Sequence, residues 1–110
     1  MNNFGLKNEV VEKIRNVLDL FPSIKKCIIY GSRAIGNYRY NSDIDLTLVG
    51  ENITFSELLK IENELDDLLL PYQIDLSILK KIDNKDLIDH INRVGKVFFE
   101  RKKTPQLFFE

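Results

Sequence analysis

Residues 28–49 read IIYGSRAIGNYRYNSDIDLTLV, and the fold follows from how this stretch is read. An apolar run, Ile28-Ile29-Tyr30, leads into Gly31-Ser32. Ten residues later Asp43-Ile44-Asp45 heads a second alternation of polar and apolar positions. Successive side chains of a β-strand point to opposite faces. Asp43, Asp45 and Thr47 therefore fall on one face, and Ile44, Leu46 and Leu48 on the other. Two carboxylates ~7 Å apart along a strand can grip one divalent cation or two neighbouring ones, and acids lined up without a cation repel. Gly31 and Ser32, at the end of the preceding strand, offer backbone N–H groups and a hydroxyl, the donors that hold phosphate. Phosphate donors facing metal carboxylates indicate nucleotide chemistry.

Upstream, Leu6, Val10, Ile14, Val17, Leu18 and Phe21 recur at helical spacing and predict an amphipathic helix closed by Pro22. Residues 24–30 form the first strand and residues 43–49 the second, with a short helical turn between them and the polar NYRYN segment exposed. Thr54 and Glu57 fit a capping box. The helix that follows runs to about residue 70, with Phe55, Leu58, Leu59, Leu65, Leu68 and Leu69 as its buried stripe, and Pro71 stops it. Residues 72–79 alternate again. Asp83 can cap a last helix in which Leu87, Ile88, Ile91 and Val94 face inward, and residues 96–100 read as a short edge strand. The first and second strands are joined by only about a dozen residues, which predicts an antiparallel pair. A full helix joins the second and third, which predicts a parallel one. The expectation is an α/β domain with a small mixed β-sheet and flanking helices, spanning residues 1–100, followed by a loose tail at 101–110.

At 110 residues the chain fits one domain with a modest core. Its net charge of −1 argues against direct nucleic-acid binding, which needs a basic face large enough to skew the total. No apolar run approaches the ~20 residues that span a bilayer, and the N-terminal residues lack a signal-peptide pattern. Cys27 is the single cysteine, which leaves no internal disulfide and no thiolate metal cluster, and its apolar setting predicts a packed strand residue. A cytoplasmic protein is the simplest reading.

Asp75 is the third acid at a polar strand position, flanked by Ile74 and Leu76. One aspartate on a half-exposed strand is an ordinary surface acid. Aspartate suits strands poorly, however, and three at same-face positions beside a Gly-Ser turn make a metal site the better reading. Three carboxylates are what a pair of Mg²⁺ ions needs to clamp a triphosphate and a nucleophilic oxygen. Gly31 and Gly36 have the glycine spacing of a P-loop, but Asn37-Tyr38 stands where Lys and Ser or Thr must follow, and there is no GxGxxG.

The string GSRAIGNYRYNSDIDL resembles the signature of the minimal nucleotidyltransferase (MNT) family of the DNA polymerase β-like superfamily: Gly-Ser, ten residues, then Asp-x-Asp. Asp75, between Ile74 and Leu76, matches the family's third aspartate. The resemblance implies transfer of a nucleoside monophosphate, usually AMP from ATP, to an acceptor hydroxyl, with release of pyrophosphate. It makes Asp43, Asp45 and Asp75 the catalytic and metal-binding residues for Mg²⁺ (two ions, with Mn²⁺ an alternative). Gly31 and Ser32 become the triphosphate contacts, and Arg33 a further phosphate contact. Larger members append an acceptor-binding domain. The family's alternative is a separate small helical partner protein, either a HEPN-type toxin for which the MNT protein is the antitoxin, or a four-helix substrate-binding subunit. In the toxin case the resemblance is to enzymes that add AMP to a tyrosine of the partner. Two rival readings are a non-enzymatic antitoxin that works by occluding its partner and a free-standing small-molecule transferase. His90 carries no motif and reads as a surface residue. Leu107-Phe108-Phe109 reads either as a disordered end or as an apolar anchor for the partner or for a second copy of the chain.

Overall fold

Three alternating segments become adjacent strands, and the late apolar segment adds a fourth. The computed structural model describes residues 3–102. In chain order the elements are α1 (Asn8–Asp19), β1 (Lys26–Tyr30), α2 (Gly31–Ile35), β2 (Ile44–Val49), α3 (Phe55–Asp66), β3 (Ile74–Ile78), a 3₁₀ turn at Leu79–Lys81, α4 (Lys85–Val94) and β4 (Lys96–Glu100). The strands form one mixed sheet in the order β3-β2-β1-β4. As the connection lengths predict, β1 and β2 are antiparallel and β2 and β3 parallel. β4 lies antiparallel to β1 at the edge.

One face of the sheet is the core. Cys27 and Ile29 of β1, Ile44, Leu46 and Leu48 of β2, and Leu76 and Ile78 of β3 are buried with Val10, Val11, Ile14 and Leu18 of α1 and Ile61 and Leu65 of α3. Burial pushes the Cys27 thiol well above its usual range, so it is an inert packing residue. α4 packs on β1 and α2. Its one buried residue, Ile91, lies outside the main core cluster, over the opposite face.

Several local expectations shift. In α3 the buried residues are Ile61 and Leu65, with Leu58 and Leu68 packed against the core, whereas Phe55, Leu59 and Leu69 are exposed. Regular helix ends at Asp66, before residue 70, and Leu69 lies beyond it in the turn, at φ 55°. Thr54 Oγ1 accepts the Glu57 N–H, but the Glu57 carboxylate accepts from Ser23 Oγ, so the capping box is half made. Asn84, not Asp83, caps α4, accepting the Leu87 N–H at 3.1 Å. Leu87, Ile88 and Val94 are only half-buried. Arg101 belongs to the domain and not to a loose tail: its N–H bonds Lys25 O, and its guanidinium reaches Ile24 O, Phe21 O and the Asp19 carboxylate. The two readings of residues 107–109, a loose end or an apolar anchor, concern positions outside the described residues.

The loop between α2 and β2 is held from beneath by Arg33. This residue is 2% exposed, and its guanidinium donates to Phe4 O, Tyr40 O and Ser42 O at 2.9–3.1 Å. Tyr38 and Tyr72 lie over the guanidinium carbon, at 5.2 and 5.1 Å to their ring centroids. Carbonyl dipoles and aromatic faces thus stand in for a carboxylate partner. The fan of donors closes the turn that carries Asp43 into β2. Arg33→Ala leaves three carbonyls to find new partners. Since an unsatisfied buried polar group costs about 1–3 kcal/mol, the variant should lose about 3 kcal/mol or more in denaturant melts. Arg33→Lys keeps the charge without the planar fork and should recover less than half of that loss.

Candidate active site

Strand register builds the site. Tyr30 on β1 pairs with Asp45 on β2, and Asp45 with Asp75 on β3, so the three side chains form one row across the open face. In the next row Ile28, Thr47 and Ser77 lie side by side. Thr47 is fully buried, and Ser77 Oγ donates to Thr47 Oγ1 at 2.9 Å. Burial pushes the Tyr30 phenol up, so it is neutral at ordinary pH. The carboxylates therefore stand on a floor of satisfied hydroxyls.

Where β1 ends, Gly31 turns the chain into α2 with φ 73°. A Cβ at Gly31 would collide with Asp45 Oδ2. Glycine is thus required twice here, for the left-handed turn and for the space that the carboxylate occupies. Gly36 closes the same short helix at φ 102°, its N–H bonding Ser32 O at 2.8 Å.

Asp45 is half-buried, while Asp43 and Asp75 are exposed. Burial, then the nearby charges of Asp75 and Asp43, push the Asp45 carboxyl above the usual carboxylate range, and His90 opposes the shift. Like charges crowded into one partly desolvated spot are relieved by a cation. The donor set fits a hard divalent ion, because it is all oxygen and the flanking carboxylates are free to turn. As they stand, no three acid, histidine or cysteine side chains among the described residues close on a single point. Clefts elsewhere run along α3 and β3, lined by Glu62, Asp66 and Leu76, and at the far end of β1 and β2, by Lys25, Val49 and Gly50.

Of the residues singled out in the sequence, Asp43, Asp45, Asp75 and Gly31 come together at this edge, and Ser32 follows in the first turn of α2. Arg33 does not join them. Its guanidinium is committed to backbone carbonyls and is buried, so it is a scaffold residue and cannot also present itself to phosphate. His90 is the residue that the sequence reading missed. Its Nε2 accepts the Gly31 N–H at 3.2 Å, and its ring stands edge-on to Tyr30, 6.1 Å between centroids. The one signal in the sequence was its position beside Ile91, the buried residue that docks α4.

Residues 12–104 match the family model described as polymerase beta, nucleotidyltransferase. No curated protein matches the sequence closely enough to count as a relative. Among solved structures, a chain of a toxin–antitoxin complex with AMP-PNP matches at TM-score 0.65 and 20% identity, covering 88% of this chain and 76% of that one. A chain of the Shewanella oneidensis complex of tri-AMPylated HEPN toxin with MNT antitoxin matches at TM-score 0.64 and 17% identity, covering 87% and 74%. A chain of the MntA–HepT toxin–antitoxin complex matches at TM-score 0.63 and 20% identity, covering 86% and 74%. At these identities the likeness is one of fold, and the family model carries the assignment: the chain belongs to the polymerase beta nucleotidyltransferase family.

Proposed function

We propose that the chain is a Mg²⁺-dependent nucleotidyltransferase that moves AMP from ATP onto a hydroxyl of a small helical partner protein, as the antitoxin of a toxin–antitoxin pair. The observation that carries this reading is the side-by-side placement of Asp45 and Asp75 beside the Gly31 turn, with Asp43 adding its charge. The structures with AMP-PNP and with a tri-AMPylated toxin support it by likeness of fold. A cytoplasmic setting goes with the same reading.

In this mechanism Asp43, Asp45 and Asp75 would hold the metal, and when bound it would supply neutralisation of phosphate charge. Gly31 and Ser32 hold the triphosphate at the head of α2. Asp75, exposed at the edge strand, takes the proton of the acceptor hydroxyl. The acceptor oxygen bonds to the α-phosphorus as the bond to the bridging oxygen breaks, and pyrophosphate leaves. No covalent enzyme intermediate is needed; position and charge carry the step.

Two measurements test the reading. Folding raises the Asp45 pKa, so its ionisation opposes folding, and that penalty is absent below the unfolded value of about 3.9 and complete above the folded one. Asp45→Asn should therefore melt higher than wild type at pH 7 without metal, with the gain fading as pH falls through the acid range. Mg²⁺ or Mn²⁺ should raise the wild-type melting temperature and leave the variant unmoved. A variant that melts no higher, or that still answers to metal, places the cation elsewhere.

Catalysis is read with a candidate helical partner, the product of any adjoining reading frame that encodes a small helical protein, together with labelled ATP and Mg²⁺. Label should move to that protein with release of pyrophosphate, and Asp75→Ala should lose about a hundredfold or more in rate. Inertness of the wild type with all four nucleotides, with tight binding of the helical protein retained, would favour neutralisation by complex formation alone.

A further inference from the structure

We propose that His90 is a positioning residue of the nucleotide site, acting through the Gly31 peptide: its Nε2 holds the Gly31 N–H and fixes the orientation in which that amide meets phosphate. This deepens the nucleotidyltransferase reading and rests on it for the ligand. The contact itself stands on geometry alone.

Gly31 is the most conformationally permissive residue at the site, at φ 73° and without a Cβ. A peptide beside such a residue turns easily unless something holds it. Its carbonyl side continues into α2, but its N–H points away from the sheet ladder and across to α4, where His90 Nε2 accepts it at 3.2 Å. Accepting at Nε2 places the imidazole proton on Nδ1. The ring stands edge-on to Tyr30, which holds it on one side. Tyr30 is itself buried at the end of β1, in the row next to Thr47 and Ser77. The Gly31 amide is therefore braced, through His90, against the buried end of β1.

At 3.2 Å the bond is long, and its acceptor carries no negative charge, so it is weak. A phosphate oxygen makes a shorter, charge-assisted bond to the same amide and would win it. The value of His90 is then preorganisation: it keeps the Gly31 peptide in one orientation before phosphate arrives, and giving up so weak a bond costs less than the ordering it saves. Arg33 cannot supply this, since it is spent on the loop beneath.

The test separates the hydrogen bond from the ring contact. His90→Phe keeps an aromatic ring against Tyr30 and loses the acceptor. His90→Gln loses the ring and puts an amide oxygen near the place of Nε2. ATP binding is titrated calorimetrically in Mg²⁺, and hydrogen exchange of the Gly31 amide is followed by NMR in the protein without nucleotide. His90→Phe should weaken ATP binding about tenfold and speed Gly31 exchange, while His90→Gln should stay within about threefold of wild type in both; circular dichroism should be unchanged in each. A purely structural ring would give the reverse order, with Phe tolerated and Gln not, and would overturn the proposal. So would unchanged Gly31 exchange, or tighter ATP binding, in His90→Phe. If wild type binds no ATP, the nucleotidyltransferase reading fails, and the exchange rates still decide whether His90 holds the Gly31 peptide.

Discussion

The Asp45 carboxylate occupies the place where Gly31 would carry a side chain, and the rest of the molecule is arranged around that contact. It can form only if β1 and β2 are antiparallel in the register that sets Tyr30 against Asp45. Asp75 then arrives at the next strand because β3 runs parallel to β2 with Asp45 and Asp75 as partners. Left to themselves, three acids at one edge repel, and partial burial adds to the cost. The opposite face of the same strand carries that cost. Ile44, Leu46 and Leu48 are fully buried against α1 and α3, each worth about 1.5–3 kcal/mol relative to exposure. An apolar face of that size can hold an electrostatically unfavourable face in register.

Arginines are used here to bind the backbone to itself more than to pair with acids. Arg15 donates to Phe98 O across to β4 and lies over the Phe98 ring. Arg101 reaches Ile24 O and Phe21 O and lies over Phe99. Arg33 does the same, more deeply buried. A guanidinium offers five donors in a plane and an apolar-tolerant face, so one side chain can close several open carbonyls and stack at once. The consequence for the site is electrical. Arg33, which directly follows Gly31-Ser32, points into the scaffold and leaves the carboxylate edge its negative charge for a cation to meet.

The strands, their directions and the acid edge were legible because each depends on short-range rules. Period-two alternation puts Asp43 and Asp45 on one face, and connection length chooses between antiparallel and parallel neighbours. Other features were hidden for physical reasons. The leucine-rich α3 offers two helical stripes one residue apart, and only packing against α1 and β3 chooses 58, 61, 65 and 68 over 55, 59 and 69. Arg33 beside Gly-Ser looks like a phosphate ligand until the carbonyls of residues 4, 40 and 42 converge on it, and that convergence is tertiary. His90 lies some sixty residues from Gly31, and nothing local links them. The contact arises from how α4 packs on β1 and α2, with Ile91 as its buried residue.

The acid edge is an open face, and that bears on what the chemistry demands. Water is the competing acceptor wherever a nucleotide's α-phosphorus is exposed, and phosphoryl chemistry gains from its exclusion. The floor is dry, since Thr47 is fully buried and Tyr30 nearly so, but Asp43 and Asp75 stand in solvent. α4 shields only the β1 side, through His90 and Ile91. On the nucleotidyltransferase reading, shielding of the β3 side falls to whatever presents the acceptor hydroxyl. Chemistry would then be confined to the docked complex, because the body that excludes water also brings the nucleophile. That coupling suits an enzyme whose acceptor is a protein surface: a free nucleotide at an unshielded edge lacks both the nucleophile and the dry environment in which charge on the phosphates is most strongly felt.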